Sequence, residues 1–161
     1  MIAYFISLEC FEVGTELPIK QYQLHDFSDL KKEIEQTFEK YRNDNCPNLC
    51  SRLSCRFISA TTASAEFWAQ QKCSKQERDY YLYEVEIADE ASVQWHDAEP
   101  FDMIANNCVP SGITKEDCIK RYWNLSSYEE AISNCESEGI CTTPILIKSR
   151  TDGVLTNLSN S

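Results

Sequence analysis

Two arginines and three aromatic residues fall within one short stretch of the sequence, RLSCRFISATTASAEFWA at residues 52–69. A guanidinium group presents a planar fork of hydrogen-bond donors that matches a phosphate, which makes Arg52 and Arg56 candidate phosphate ligands. Phe57 and Trp68 offer flat rings on which a heterocycle can stack. These residue types suit one wall of a nucleotide pocket. The competing interpretation is plain packing, with the arginines paired to surface carboxylates.

The elements that must position these side chains follow from the spacing of apolar residues. Residues 55–60 form a predicted strand, and the helix behind it carries Trp68. Residues 26–43 have apolar side chains at three- and four-residue steps and form the clearest predicted helix, with Asp26 as its cap. Further strands are predicted at residues 2–8, 81–87 and 141–148, and residues 92–96 extend the strand at 81–87 or pair with it. A charged loop is predicted at residues 72–79. Short helices are predicted near residues 101–106, after Thr114, and from Ser127, where Ser127-x-x-Glu130 resembles a capping box, to Gly139.

The order of these elements is β-α-β-α-β-β, followed by short helices and a final strand. Strands separated by single helices, one strand having an apolar and a polar face, are typical of an α+β domain with a curved, largely antiparallel sheet. A chain of 161 residues with four glycines and five prolines has no linker that would separate two domains. We therefore expect one domain at residues 1–150 and a flexible polar tail at residues 151–161.

The net charge is -11, from 26 acidic and 15 basic residues. Such a field repels phosphate backbones, which argues against general nucleic-acid binding and is compatible with a basic surface on a partner protein. The first residues lack the pattern of a signal peptide, and no apolar run approaches the roughly 18 residues of a membrane span. We expect a soluble, cytoplasmic protein that does not enter a membrane. A protein that a secretion machine delivers into a host or target cell would also lack a signal peptide.

Nine cysteines and two histidines are the other residues with reactive side chains. No C-x-x-C pair is present, so we expect most thiols to be reduced and packed in the core, and no metal site. The closest spacing joins Cys46, Cys50 and Cys55, and a metal site built from them is the alternative. His25 and His96 have polar neighbours in the sequence, and we expect both at the surface rather than in catalysis.

Three segments carry a family resemblance. The first strand contains YFIS at residues 4–7, the stretch quoted above contains RLSCRFIS and AEFWA, and the next strand is YLYEVEI at residues 81–87. In this order the segments resemble small bacterial and phage members of the mono-ADP-ribosyltransferase superfamily, in the branch of diphtheria-toxin-like enzymes and RNA 2′-phosphotransferases. The resemblance spans residues 2–148 and implies an ADP-ribosyltransferase-like fold that takes NAD as its substrate.

The resemblance also implies a site that cleaves the glycosidic bond between nicotinamide and ribose through an oxocarbenium-like transition state. Tyr4 and Ser7 would line the nicotinamide ribose, and Arg52 or Arg56 would bind the pyrophosphate. The remaining implied NAD-binding residues, on the second strand and on the helix behind it, are Ser54, Phe57 and Trp68.

A carboxylate must stabilise the positive charge that develops on the ribose. The resemblance implies a glutamate near the start of the last strand, and Glu138 is the first choice. Glu129, Glu130 and Glu136 compete with it because no motif determines the position. Phe5 stands where the family usually has a histidine, and a phenylalanine cannot hydrogen-bond a ribose hydroxyl. The same pattern therefore also fits a domain that keeps the fold without the activity.

The leading prediction is transfer of ADP-ribose from NAD to a host or target macromolecule, with a protein as the expected target, by a toxin, an effector or a phage factor. The alternative is a non-enzymatic acidic inhibitor that binds a basic cleft on a partner protein. That alternative predicts acidic side chains gathered on one face, drawn from Glu9, Glu12, Glu16, Asp26, Asp29 and Glu33.

Overall fold

The computed structural model describes residues 1–76 and 80–155. The strands in this part are β1 (Ile2–Ser7), β2 (Glu16–Leu17), β3 (Lys20–Gln21), β4 (Ser54–Ile58), β5 (Tyr80–Glu86), β6 (Val93–Asp97), β7 (Ser137–Cys141) and β8 (Ile145–Leu155). The α-helices are α1 (Asp29–Asn45), α2 (Thr62–Gln76), α3 (Glu99–Ala105), α4 (Lys115–Tyr122) and α5 (Tyr128–Ser133). Every helix among these residues is too short or too polar to span a lipid bilayer.

The strands form one curled surface made of two four-stranded sheets, in the orders β1-β5-β8-β2 and β3-β4-β7-β6. The pairings between these strands are antiparallel. The two sheets meet at Tyr4 and Ser59, whose backbones exchange hydrogen bonds of 2.9 and 2.8 Å. The predicted fold class, an α+β domain with a curved, largely antiparallel sheet and short helices, is confirmed.

Two large buried clusters and a small one, which joins Ala69 of α2 to Tyr80 of β5, hold the sheet and its helices together. The larger cluster joins the strands and includes Phe5 and Tyr83. The second joins α1 to α3 and α4 through Phe38, whose ring centre lies 4.8 Å from that of Phe101 and 5.3 Å from that of Tyr122. Since burying each of these rings contributes about 2 kcal/mol or more, the second cluster holds α1 firmly against the short helices.

Both long helices differ from their predicted bounds. Helix α1 begins after Ser28, whose Oγ accepts a hydrogen bond from the Lys31 amide at 3.4 Å. Asp26 is therefore not its cap and belongs to a preceding 3₁₀ turn, Leu24–Asp26. Helix α2 continues to Gln76, so residues 72–76 are helical rather than a charged loop, and residues 77–79 lie outside the described residues. Lysine and glutamine favour helices, and a high charge alone does not end one.

Gly139 lies in the middle of β7, where the sequence predicts the end of a helix. That prediction rested on the common use of glycine as a helix C-cap. In the structure, an added Cβ would lie 2.7 Å from Cγ1 of Ile58 and 2.7 Å from Cζ3 of Trp95. Glycine is needed here because β7 passes too close to its neighbours for a side chain. The single last strand predicted at residues 141–148 is correspondingly two strands, β7 and β8.

Strand β8 continues past residue 150, the predicted end of the domain. Its backbone pairs with β5 as far as Leu155, which lies opposite Tyr80. Residues 151–155 therefore continue the sheet where the sequence predicts the start of a tail, because β5 offers them an antiparallel partner. Residues 156–161 lie outside the described residues.

Candidate functional site

A cavity of about 770 Å³ lies between β1, β4, α1, α2 and α3. Ligand pockets typically measure roughly 300–1,000 Å³, so this one is large enough for a nucleotide-sized molecule. Strand β1 lines it with Tyr4 and Ser7, β4 with Arg56 and Phe57, and α2 with Trp68.

Six of the seven residues predicted for the site line this cavity: Tyr4, Ser7, Arg52, Phe57, Trp68 and Glu138. They come from β1, β4 and the turn before it, α2 and β7, which are far apart in the sequence. Ser54 is the exception. Its Oγ accepts a hydrogen bond from Nε2 of Gln21 at 2.6 Å where β3 pairs with β4, and it is not part of the cavity wall.

Arg52 is buried in the cavity wall between two carboxylates. Its Nε and Nη2 donate to Glu35 of α1 at 3.0 and 3.3 Å, and its Nη1 donates to Glu138 of β7. The guanidinium carbon lies 4.1 Å from the ring centre of Phe101 and 4.8 Å from that of Phe57. The Arg52 guanidinium is therefore already surrounded by protein groups, with its donors directed at Glu35, Glu138 and Tyr122.

Tyr122 gives Glu138 a second hydrogen-bond donor. Arg52 Nη1 donates to the Tyr122 hydroxyl at 2.5 Å, and that hydroxyl donates to Oε1 of Glu138 at 2.6 Å. Burial is the largest influence on Tyr122 and raises its pKa well above the usual value, so the phenol keeps its proton. Glu138 is thus held by two side chains while 13% of its own side chain stays exposed.

Glu35 and Tyr122 are absent from the predicted site. Glu35 had a usable signal in the sequence, because it stands next to Ile34 and three residues before Phe38 and so lies on the buried face of α1. A carboxylate on the apolar face of a helix needs a buried cation as its partner. Tyr122 had no such signal, since a tyrosine at a helix end is typical of ordinary core packing.

The outer part of the cavity is lined by basic side chains: Lys20, Lys31 and Lys72 are exposed, and Arg56 is half-buried. Together with Arg52, the wall holds five of the 15 basic residues of the chain. Of the 26 acidic residues it holds four, namely Glu9, Glu35, Asp102 and Glu138. A strongly acidic protein therefore has a locally basic cavity mouth, which favours an anionic group at that place.

Arg56 and Phe5 occupy neighbouring parts of the wall. The Arg56 Nε donates to the carbonyl oxygen of Pro18 at 2.7 Å, and the fork formed by its two Nη atoms is the part that suits a phosphate. The guanidinium lies 5.8 Å from the ring centre of Phe5. Phe5, which stands at the position of the usual family histidine, is only 8% exposed and stacks on Tyr83 at 6.4 Å. Its ring belongs mainly to the core.

Trp68 is half-buried, and its indole is oriented by the sheet. Its Nε1 donates to the carbonyl oxygen of Ser137 on β7 at 2.9 Å, and Ser64 donates to the same oxygen at 3.1 Å. The ring therefore contributes both to packing and to the cavity wall. Its fixed orientation makes it a suitable surface for a stacked heterocycle.

Of the four competing glutamates, Glu138 lines the cavity and the other three do not. Glu129 is exposed on α5, and Glu130 forms the capping box that begins the same helix. Glu136 lies beside other acidic residues, and its pKa is raised by burial and then by Glu99. The position of these side chains favours Glu138 as the carboxylate of any chemistry in the cavity.

His96 is fully buried, so the prediction of a surface position is wrong, whereas His25 is exposed as predicted. The His96 ring stacks on Tyr122 with centroids 4.7 Å apart, and its Nδ1 lies 3.0 Å from the Tyr122 carbonyl oxygen. A carbonyl only accepts, so Nδ1 carries the proton, and Nε2 has no hydrogen-bond partner within the described residues. The polar neighbour Asp97 misled the prediction because adjacent residues of a strand point to opposite faces.

The burial of His96 should make the stability of the protein depend on pH near neutrality. Burial lowers the pKa of His96 below its usual value of about 6.5. The unfolded chain then binds a proton that the folded chain does not, and the free energy of unfolding should fall, by at most about 1.4 kcal/mol per pH unit, as the pH drops below about 6.5. Urea denaturation of the wild type and of His96→Gln between about pH 5.5 and 7.5 measures this slope.

The His96→Gln variant should show a smaller pH slope than the wild type, and His25→Gln, at an exposed site, should keep the wild-type slope. Equal slopes in wild type and His96→Gln would show that this histidine does not couple protonation to folding.

The cysteines are less buried than predicted. Cys55, Cys118 and Cys141 are buried, whereas Cys10, Cys108 and Cys135 are exposed. The remaining described pair, Cys46 and Cys50, is partly buried in the loop after α1. The side chain of Cys73 lies outside the described residues. Thiols in loops have no strand or helix face that would turn them inward, which is why most of the chain's described cysteines are not core residues.

A metal site has no support in the described part of the chain, where His, Cys, Asp and Glu form no group of three that could hold an ion. Cys46 and Cys50 lie in a loop, whereas Cys55 is buried on β4 and donates to the carbonyl oxygen of Arg52. Burial raises the pKa of the Cys55 thiol far above its usual range, which disfavours the thiolate that a metal requires.

A protein-family model matches most of the chain. The family described as Protein of unknown function (DUF2441) matches residues 15–147, which include the cavity walls formed by α1, β4, α2, α3 and β7. No curated protein matches the sequence. Since the matched segment covers most of the chain, the protein belongs to the DUF2441 family.

Proposed function

We propose that the protein is a mono-ADP-ribosyltransferase-like enzyme that transfers ADP-ribose from NAD to a target macromolecule. The observation that carries this proposal is that Tyr4, Arg52, Phe57, Trp68 and Glu138, the site residues that the resemblance implies, line one cavity. A target in a host or competing cell, with a protein as the acceptor, is the biological setting that the resemblance favours for such a toxin, effector or phage factor.

The cavity offers the groups that cleavage of NAD requires. Trp68 provides a ring for stacking, and Tyr4 and Ser7 provide hydroxyls for the nicotinamide ribose. Arg56 and the exposed lysines of the mouth suit the pyrophosphate. A volume of about 770 Å³ accommodates the nicotinamide half together with the phosphates.

Glu138 supplies the negative charge of the proposed reaction. The bond from the ribose C1′ to the nicotinamide nitrogen breaks, both bonding electrons leave with nicotinamide, and the ribose becomes positively charged. The Glu138 carboxylate, oriented by Arg52 and Tyr122, stabilises that charge. A nucleophile of the acceptor then bonds to the same carbon and loses its proton to water or to a basic side chain.

Phe5 changes how the ribose is held, because its buried ring has no hydrogen-bonding group. In the proposal, Tyr4 and Ser7 take over the hydroxyl contacts that a histidine would make. The Ser7 Oγ already accepts a hydrogen bond from the Glu9 amide at 3.0 Å, and its hydroxyl proton remains for a ligand.

The alternative, an acidic inhibitor of a partner protein, rests on the surface charge. Glu9, Glu12, Glu16, Asp26, Asp29 and Glu33 are all exposed. A basic partner bound through them would dissociate as the salt concentration rises. This alternative gives no role to the cavity, so NAD binding separates the two functions.

The test is NAD binding by calorimetry and nicotinamide release by the purified protein, alone and with a cell lysate. We expect binding at micromolar to millimolar NAD and label transfer to a lysate component. Arg56→Ala should weaken NAD binding about tenfold or more, because it removes a charged hydrogen-bond donor worth about 1.5–3 kcal/mol. Arg121→Ala is the matched control, since Arg121 is on the surface and does not line the cavity. No NAD binding at millimolar concentration would overturn the proposed function.

A further inference from the structure

The charged groups of the cavity are separated by depth. Glu35 and Arg52 are almost fully buried, and Glu138 is largely buried beside them. Lys20, Lys31 and Lys72 are exposed. We call the buried set of Glu35, Arg52, Tyr122 and Glu138 the cavity floor and the exposed lysines with Arg56 the cavity mouth. Glu9 is also exposed and Asp102 is half-buried in the same wall, so the mouth is predominantly rather than exclusively basic.

The floor has a net charge of one negative unit. Glu35 and Glu138 each contribute a carboxylate, and Arg52 contributes one guanidinium that donates to both. Tyr122 is a neutral phenol because burial raises its pKa. Within this set of four side chains, one arginine balances only one of two carboxylates, and the excess negative charge is buried where water screens it weakly. Lys72 is the cation of the mouth whose charge also acts on Glu138.

We propose that the floor selects a cationic ring, so that the cavity binds an oxidised pyridine dinucleotide in preference to its reduced form, with Glu35 as the specificity-determining residue. The selection of a dinucleotide rests on the proposed function, whereas the selection of a cationic ring does not. A dinucleotide with a pyridinium ring at one end and a pyrophosphate in the middle matches a cavity with a negative floor and a basic mouth.

The oxidised and reduced rings have nearly the same size, so shape separates them poorly, whereas the charge of the ring differs by one unit. A cation about 10 Å from an unbalanced carboxylate gains roughly tenfold in affinity at an effective dielectric constant of about 20. Glu35 belongs to α1, lines the cavity and pairs with Arg52. It therefore acts on the charge of the bound ring without having to contact the reacting bond.

The experiment compares two small probes that differ in charge and little in shape, the methylnicotinamide cation and neutral nicotinamide, together with NAD and NADH, by calorimetry. The wild type should bind the cation about tenfold more tightly than the neutral ring, and NAD about tenfold more tightly than NADH. Glu35→Gln should reduce both ratios to near one, since glutamine keeps an oxygen acceptor for Arg52 and removes the charge. Glu35→Asp keeps the charge and should keep the preference.

Glu39→Gln is the matched control. Glu39 is on the same helix, pairs with Arg42 at 2.6 Å and does not line the cavity, so its loss removes the same charge outside the site. Thermal unfolding of each variant verifies that it is folded.

The two proposals fail in distinguishable ways. NAD turnover without any preference for the cationic probe, or a preference that persists in Glu35→Gln, would overturn the selection by charge and leave the proposed function standing. A preference for the methylnicotinamide cation that Glu35→Gln abolishes, in a protein that neither binds nor cleaves NAD, would support the selection and overturn the proposed function. A protein that binds none of the four probes contradicts both.

Discussion

Replacing Glu138 with glutamine should lower the rate of NAD cleavage by about a hundred- to a thousandfold and leave the protein folded. Glutamine has the same shape and still accepts hydrogen bonds from Arg52 and Tyr122, so the cavity wall keeps its geometry. What it loses is the negative charge that stabilises the ribose cation in the transition state. The same loss should weaken the binding of NAD itself only about tenfold, because the ground-state ligand has less charge near that oxygen. Rates of nicotinamide release at saturating NAD separate the two effects.

Glu136→Gln is the matched control for this prediction. Glu136 is two residues away, is partly buried among other acidic groups, and does not line the cavity. It should keep nearly the full rate. A Glu138→Gln protein that retains more than a tenth of the wild-type rate would show that the catalytic carboxylate is another residue.

Replacing Arg52 with alanine should lower the free energy of unfolding by about 3–5 kcal/mol. The substitution leaves Glu35 and Glu138 buried without a cation, and it removes a side chain that packs against the rings of Phe57 and Phe101. Arg52→Ala therefore reports on stability rather than on phosphate binding. Urea denaturation followed by the fluorescence of the tryptophans measures the change.

Arg121→Ala shows how much of this loss of stability is due to the burial of Arg52. Arg121 also bridges two carboxylates, Asp97 at 2.6 Å and Glu99 at 2.5 Å, but its side chain is 49% exposed. Its loss should cost no more than about 1 kcal/mol, because water screens exposed pairs. Equal losses of stability in the two variants would mean that the buried cluster is not the anchor between α1, β7 and the turn before β4.

The sequence could predict the residue types of the candidate site better than their partners. Phe57 and Trp68 line the cavity from β4 and α2. Apolar spacing predicts both of these elements, so it also predicts where the two rings lie. Whether Arg52 meets a phosphate or a carboxylate depends on Glu35, 17 residues earlier, and on Glu138, 86 residues later. No local pattern reports contacts at such separations, so a phosphate ligand and a buried ion pair are indistinguishable in a single sequence.

Strand β7 illustrates the same limit for the fold. The capping box at Ser127 is correctly predicted and begins α5, but the helix ends at Ser133 instead of continuing to Gly139. The glycine resembles a helix stop in the sequence, whereas its real constraint is the contact distance to Ile58 and Trp95. Glu138 therefore lines the cavity from a strand where the sequence predicts the end of a helix, and β7 reaches this position because it pairs with β4 on one side and with β6 on the other.

The most direct test of the central claim, that this cavity binds NAD, is an NMR titration that follows the indole N–H signals of the tryptophans. Trp68 lines the cavity, while Trp95 and Trp123 are buried outside its wall and serve as internal controls. If the cavity binds NAD, the ligand should shift the Trp68 signal in a saturable way and leave the other two nearly unchanged. A titration to millimolar NAD that moves none of the three signals, or all of them equally, would contradict it.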